Sequence, residues 1–521
     1  MKACIRSVKK IFPAILLMTM MASAQNTTVA KKNNTERLQL AAEIDRSIRT
    51  ELLNKWYPQS VDSLYSGFLT TFTYNFLPAG PQDKMIVTQA RHVWSNALAS
   101  RLYPGVGHYK KCAAQGFNFL KDKMWDKTNG GFLTTFTYNF LPTGPQDKMI
   151  VTQARHVWSS AVASRLYPDV DYYKKCAAQG FSFLKNTMWD KNNGGFYTLV
   201  DRRGNVKDST GKTAYGNAFG IYASAVWYQA SGDNNALQLA KDCFAWLEKH
   251  AHDPIRKGYF QNLLPDGTPV KRTAADPSTS TVGYKDQNSS IHLLEAFTEL
   301  YSVWPDALFR ERLQEMLLLI RDVITNKKGS LTLFLQTDWT PVSFRDSSEA
   351  VILQHRYLDH ISFGHDVETA YLMLEASHVL GLRNDTVTIK VAKLMVDHAL
   401  QNGWDKINGG FYDEGYYFKN KKNIRIIKDS KNWWAQAEGL NTLLLMADHF
   451  PNDPMQYFEK FKMMWQYIQT YLIDHEYGDW YEEGLDKRPE RKTALKGHIW
   501  KATYHQLRSL SNCMQRLRNN G

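Results

Sequence analysis

A chain of 521 residues, 43% of them hydrophobic, can bury a large core, which excludes disorder as its main state and allows one large domain or two ordinary ones. The net charge of +13 would suit a nucleic-acid partner, but the basic residues are scattered, and the densest cluster, Lys419, Lys421 and Lys422, falls in an expected loop, so a solvated surface explains it better. The cysteines form no CxxC or Cys/His cluster, which leaves a zinc site unsupported.

Residues 1–24 have the pattern of a secretory signal: Lys2, Arg6, Lys9 and Lys10 precede an apolar run from Ile11 to Met21, then Ala22-Ser23-Ala24. A membrane anchor would need an apolar run roughly twice as long. Export to a periplasm or beyond the cell is therefore expected, with no stable membrane anchor after cleavage. A flexible linker, 25–36, is expected next, and from 37 to 515 a single catalytic domain. Cys112, Cys176, Cys243 and Cys513 are expected as free buried thiols.

Leu38, Ala41, Ile48 and Leu52 mark the first helix. Residues 67–130 then recur as 131–194, with 54 of 64 positions identical, a tandem duplication. Each copy holds a Gly-Pro-Gln-Asp turn, a helix with Arg-His-Val-Trp (Arg91 and Arg155), and a second helix ending at Met-Trp-Asp. A fainter repeat runs on through the chain. Trp125-Asp126 leads to Gly130-Gly131-Phe132, Trp189-Asp190 to Gly194-Gly195-Phe196, and Trp404-Asp405 to Gly409-Gly410-Phe411. His252-Asp253 before Gly258-Tyr259-Phe260 is looser, as is Glu476 to Trp480. These read as turns or small hairpins joining one helix pair to the next. With helical spacing between them, as at Leu293, Leu294, Phe297, Leu300 and Tyr301, an all-α closed ring of helix pairs is expected, with hairpins gathered at one end. An open solenoid is the alternative.

Four later segments concentrate His, Trp and carboxylates. Asn288, His292 and Glu295 fall on one helical stripe, which either faces solvent or lines a site. His365 sits in or just before the first turn of a helix, with Glu368 a turn on, where it could fix the imidazole tautomer. Trp433 and Trp434 adjoin Gln436 and Glu438, a combination of aromatic faces and polar groups that suits a sugar ring. Trp500 and His505 lie close to one helical turn apart.

The order of Arg-His-Val-Trp, Asn288-x-x-x-His292-x-x-Glu295, Gly364-His365-Asp366-x-Glu368, Trp433-Trp434-x-Gln436-Ala-Glu438 and Trp500-Lys-x-x-Tyr504-His505 resembles the N-acylglucosamine 2-epimerase superfamily, and most its cellobiose 2-epimerase branch. The resemblance covers the chain from about Arg37 to Arg508, including Tyr215 to Ala223. It implies an (α/α)6 barrel, without metal or organic cofactor, that acts on the reducing-end aldose of a small-molecule sugar. His365 and His505 match the two histidines flanking C2. Arg155, or its duplicate Arg91, matches the arginine at the enolate oxygen. His292, Trp434 and Trp500 match substrate contacts, and Asn288, Trp433 and Glu438 lie in the same motifs. The expected reaction is C2 epimerisation through an enediolate, with aldose–ketose isomerisation or (α/α)6 glycoside hydrolysis as alternatives. One barrel needs only one copy of the duplicated unit, so the spare copy is expected outside the ring.

Overall fold

The computed structural model describes residues 27–168, 170–207, 211–419 and 421–519; the expected signal segment lies outside them. Fourteen principal helices alternate between an outer and an inner ring. The outer helices are α1 (Thr27–Ser47), α3 (Gly107–Phe119), α5 (Asp171–Phe183), α7 (Asn234–His250), α9 (Ala307–Leu319), α11 (Thr386–Asn402) and α13 (Tyr457–Tyr467). The inner helices are α2 (Ile86–Leu102), α4 (Ile150–Leu166), α6 (Ala214–Ser231), α8 (Gln287–Tyr301), α10 (Phe363–Val379), α12 (Trp433–His449) and α14 (Tyr504–Asn519). Each inner helix packs on the next, and α14 returns to α2. The stretch expected as a linker is helical from Thr27 onward. It lacks Pro and Gly, and Arg37–Asp448 (2.6 Å) and Glu36–Lys462 (2.7 Å) tie it to α12 and α13.

The architecture is thus the all-α toroid of helix pairs with short hairpins at one end. Among the described residues the ring holds seven pairs, because the duplicated unit contributes both α2–α3 and α4–α5 to it. The expectation that the spare copy lies outside the ring is corrected here. Each copy carries the whole set of joining contacts, so neither is left without partners.

Those contacts explain the faint repeat. At the joints an aspartate in the turn after an outer helix meets a lysine in the segment leading into an inner one, two residues before the helix in every pair but Lys496–Asp474. Lys84–Asp62, Lys148–Asp126, Lys212–Asp190, Lys285–Asp253, Lys431–Asp405 and Lys496–Asp474 are all buried pairs. The aspartate also accepts turn N–H groups, as Asp190 does from Asn192 (2.9 Å) and Asn193 (3.1 Å). The lysine also donates to a turn carbonyl, as Lys212 does to Gly194 (2.5 Å), so both buried charges are paired and hydrogen-bonded. At the remaining joint Asn326 takes the aspartate's place and bonds Ser330. Gly194 and Gly195 adopt φ of +70° and +71°, and a Cβ on Gly195 would sit 2.7 Å from the Trp246 ring, so both the turn and the packing require glycine.

Two-residue strands preceding inner helices pair antiparallel with strands beyond the next outer helix: Lys84–Met85 with Thr135–Phe136, Lys148–Met149 with Leu199–Val200, Lys212–Thr213 with Asn262–Leu263, and Lys285–Asp286 with Phe334–Leu335. A three-stranded flap, Ile361–Ser362, Glu414–Tyr416 and Arg425–Lys428, stands before α10. Each of these strands leads into or closes over the N-terminal end of an inner helix, so the short strands gather at that end of the ring. The core fills the shell between the rings, where Phe68, Phe132, Phe196, Tyr259, Leu331 and Phe411 are buried after successive turns. Leu38 departs from its expected inward stripe and is exposed, whereas Ala41, Ile48 and Leu52 are buried. Cys112, Cys176, Cys243 and Cys513 are free and buried. No described helix is long and apolar enough to cross a membrane.

Candidate active site

The inner helices leave an axial cavity of about 440 Å³ lined by side chains from all seven. Because the helices start at the same level, equal positions along them form layers. The sixth residues of α2, α4, α6, α8, α10 and α12 are Arg91, Arg155, Phe219, His292, Glu368 and Glu438, and Arg508 is fifth in α14. All seven face the cavity. The layer toward the strand end holds Asn288, His365, Trp434, Tyr504 and His505, with Trp500 at the rim; the layer below holds Trp94, Trp158, Tyr222, Glu295, Tyr371 and Asn441. The candidate catalytic and substrate-binding residues therefore line one cavity, including Trp433, although that indole is 8% exposed and packs edge-on against His498; Gln436 does not, being buried and bonded to the backbone of Phe411.

Two local arrangements differ from expectation. The Nδ1 of His365 bonds the Ser362 hydroxyl at 2.7 Å, not Glu368, which lies 4.0 Å from Arg508. Helical side chains lean toward the N-terminus, so the first-turn imidazole reaches back to the residue before the helix instead of forward to the next turn. Trp500 is not on a helix with His505; it stands half-exposed in the turn before α14, where its carbonyl accepts from Arg91 at 2.5 Å.

His505 Nδ1 meets Glu438 Oε1 at 3.1 Å, and Arg508 donates to the same oxygen. His292 Nδ1 meets Glu295 Oε2 at 3.0 Å. The His365 ring packs against Trp434, centroids 5.2 Å apart. Burial pushes both candidate acid–base histidines down to about 4. For His365 the neighbouring His360 and His292 add to this; for His505 the Glu438 carboxylate opposes it, and Arg508 and Arg91 add to it. Burial pushes the Glu368 carboxyl up to about 8, with Glu438 adding and Arg508 opposing. For Glu438 burial is outweighed by the charge of Arg508 and the bonds from His505 and Arg508, which hold it down at about 2. Deeper in the cavity burial raises Glu375 to about 8. Among the described residues no three His, Cys, Asp or Glu side chains are grouped to hold a metal ion.

Arg508, Ser362 and Glu375 are site residues that the motifs did not single out. Arg508 was findable, since it lies one turn beyond Tyr504 and His505 on the same helix. Ser362 was hidden because its role depends on the rotamer of His365. Glu375 lies two turns beyond Glu368, but nothing in its neighbourhood distinguishes it from a surface glutamate.

The sequence profile of N-acylglucosamine 2-epimerase (GlcNAc 2-epimerase) matches residues 139–509. A cellobiose 2-epimerase of Bacteroides fragilis is 28% identical over 389 residues, which cover 74% of this chain and 92% of that protein. One from Ruminococcus albus is 29% identical over 402 residues, covering 76% and 93%. The solved structure of cellobiose 2-epimerase from Bacillus thermoamylovorans superposes with a TM-score of 0.57 at 19% identity, covering 92% of this chain and 99% of that one, and so shares the fold. With an axial cavity built from the motif residues and a profile that spans most of the chain, the protein belongs to the N-acylglucosamine 2-epimerase family, carbohydrate epimerases and isomerases.

Proposed function

We propose that this protein inverts C2 of a reducing-end aldose, of the glucose/mannose or N-acylglucosamine type or a disaccharide ending in one, by proton transfer through an enediolate. The observation that carries this is the convergence of His365 and His505, from α10 and α14 on either side of α12, on a cavity that also presents arginines. A proton alpha to an aldehyde is weakly acidic, so its removal needs a positioned base and cationic donors at the oxygen where charge develops. Burial favours the neutral, basic form of both imidazoles. Of the two, His505 has the carboxylate partner, which lowers the cost of its protonated form, while Ser362 can donate to or accept from His365. From one epimer His365 takes the C2 proton, electrons shift to the C1 oxygen beside the guanidinium, and protonated His505 returns a proton to the opposite face of C2. The reverse direction exchanges the roles. Arg155 serves the oxygen, and His292, Asn288, Trp434 and Trp500 hold the sugar. The indole faces of the two tryptophans suit its C–H groups.

Glycoside hydrolysis would need one protonated and one free ionised carboxylate across the bond. Glu368 and Glu438 divide their proton in that way, but Glu438 is engaged by Arg508 and His505 and both adjoin one guanidinium, which disfavours attack by either. The leader pattern supports export, which N-terminal sequencing of the mature protein would check. Turnover of a reducing sugar in deuterated water tests the mechanism: deuterium at C2 of an epimeric product is expected. Cleavage products, or a C2 epimer free of solvent label, would refute it, and a labelled ketose would place the second proton transfer at C1.

A further inference from the structure

The duplication changes the chemistry of the cavity as well as its girth. Arg91 and Arg155 occupy equal positions on the adjacent helices α2 and α4, and both face the cavity. Among the described residues neither has a carboxylate within 4.0 Å, in contrast to Arg508 in the same layer, which is paired with Glu438. Arg91 lies over the Tyr504 ring at 5.1 Å and Arg155 over Phe219 at 4.7 Å. A ring face beside a guanidinium attracts its charge without occupying its N–H donors, which remain for acceptors. One Arg91 donor is held by the Trp500 carbonyl. The charges facing the pair from other helices are Arg508, and the carboxylates of Glu295 and Glu368, which feel Arg155 across the cavity without pairing with it. Burial first, and then the nearness of Arg155, push Arg91 down to about 10: the two cations stand close, and no carboxylate among the described residues pairs directly with either. One guanidinium suffices for an enediolate oxygen, so the second charge is left over. One turn deeper on the same two helices, Trp94 and Trp158 supply apolar surface for a sugar ring.

We propose that Arg91, set beside the Arg155 that serves the enediolate oxygen, is the receptor for an anionic substituent, so that the preferred substrate is an acidic sugar bearing a carboxylate, sulfate or phosphate group. This rests on the C2-epimerase reading for what happens at the other end of the sugar. A planar or tetrahedral oxyanion can take N–H bonds from the Arg91 fork, and a neutral sugar would leave that cation unpaired.

The experiment is calorimetric binding of D-glucuronate, D-glucose 6-phosphate, D-glucose 6-sulfate and D-glucose to the wild-type protein, Arg91→Gln and Arg155→Gln, with turnover assayed alongside. At least one anionic sugar is expected to bind at least ~30-fold more tightly than glucose, and to weaken as salt is raised. Which anion binds best identifies the group. Arg91→Gln should reduce that preference at least ~10-fold in a protein that still unfolds cooperatively, whereas Arg155→Gln should cost turnover more than it costs the preference. Anionic sugars binding no better than glucose would overturn the inference, as would an Arg91→Gln loss equal for all four ligands. Because binding is read apart from turnover, the two readings fail separately. An acidic sugar that binds selectively but gives neither epimer nor C2 label sinks the epimerase reading alone. A neutral aldose that is epimerised by a protein without anion preference sinks this one alone.

Discussion

Glu438→Gln isolates the charge behind His505. The amide keeps an oxygen able to accept from Nδ1 at 3.1 Å, so tautomer and ring orientation are preserved while the negative charge is lost. Two unit charges about 4 Å apart at an effective dielectric near 20 interact by ~4 kcal/mol. At about 1.4 kcal/mol per pKa unit this sets a ceiling of roughly three units on the carboxylate's support for protonated His505. Arg508 works in the same direction, since without Glu438 its charge near the imidazole is no longer neutralised. The imidazole already sits low, so a further loss of two to three units cuts the fraction able to deliver a proton at neutral pH by ~100-fold or more. The expected result is a kcat at least ~100-fold lower with KM changed little, and partial recovery as pH is lowered and solution supplies the missing proton. The assay is initial rate of C2 epimer formation from pH 4 to 9. A variant within ~3-fold of wild type at neutral pH, with an unchanged profile, would show that His505 does not act through its protonated form.

His365→Asn and His505→Asn are each expected to lower kcat by at least ~100-fold with substrate binding largely kept, as for a lost acid–base group, whereas exposed His378→Asn should leave kcat unchanged; three equal effects would refute the assignment. Lys212→Met leaves Asp190 buried without its cation and is expected to destabilise the fold by ~3–5 kcal/mol in denaturant titration, while adding Asp190→Asn should recover part of the loss. The same clasp gives an acid dependence. Although burial raises it, Asp190 is held down at about 2 by the bonds from Lys212, Asn192 and Asn193, so its stabilisation is whole above the ordinary aspartate value near ~4 and is lost as pH falls from there toward 2.

Helix pairs, turns and cavity residues were legible because they rest on local periodicity. The Asp-x-x-x-Gly-Gly-Phe turns mark joints, and five of the seven inner helices carry a charged or titratable residue, Arg91, Arg155, His292, Glu368 or Glu438, at the same distance from their start. What stayed hidden depends on relations between helices. The repeat at Asp62 to Phe68 lacks the flanking Trp and the doubled glycine, so the joint that admits the first copy into the ring does not resemble the others in sequence. The partner of His365 turned on a rotamer, and the partner of Glu438 on two helices meeting. Ring size was not legible at all. It depends on whether α2 can close against α14, and that contact is made by Thr88 and Arg91 reaching the carbonyls of Ile499 and Trp500 and by Trp94 packing on Tyr504.

The same closure contacts predict what happens when the duplication is undone. Excising residues 67–130 joins Ser66 to Gly131, which keeps the turn intact, since Asp62 then lies as far from Lys148 as it now lies from Lys84. Helix α1 then leads directly into α4, whose Thr152, Arg155 and Trp158 repeat the residues by which α2 closes the ring: Thr88, Arg91 and Trp94. The shortened chain therefore has every contact it needs to close with six pairs, α4 against α14. That length also fits the relatives, where 389 residues of this chain account for 92% of the Bacteroides fragilis protein. The expected outcome is a soluble, cooperatively melting protein with a smaller radius in solution scattering, one guanidinium in place of two beside Trp500, and epimerase activity on neutral aldoses retained. An unfolded or aggregated product would mean that the two copies have become specialised to their present neighbours despite their identity. A folded product without activity would mean that Arg155 cannot take up the position next to α14, and that the site has come to depend on a ring of seven.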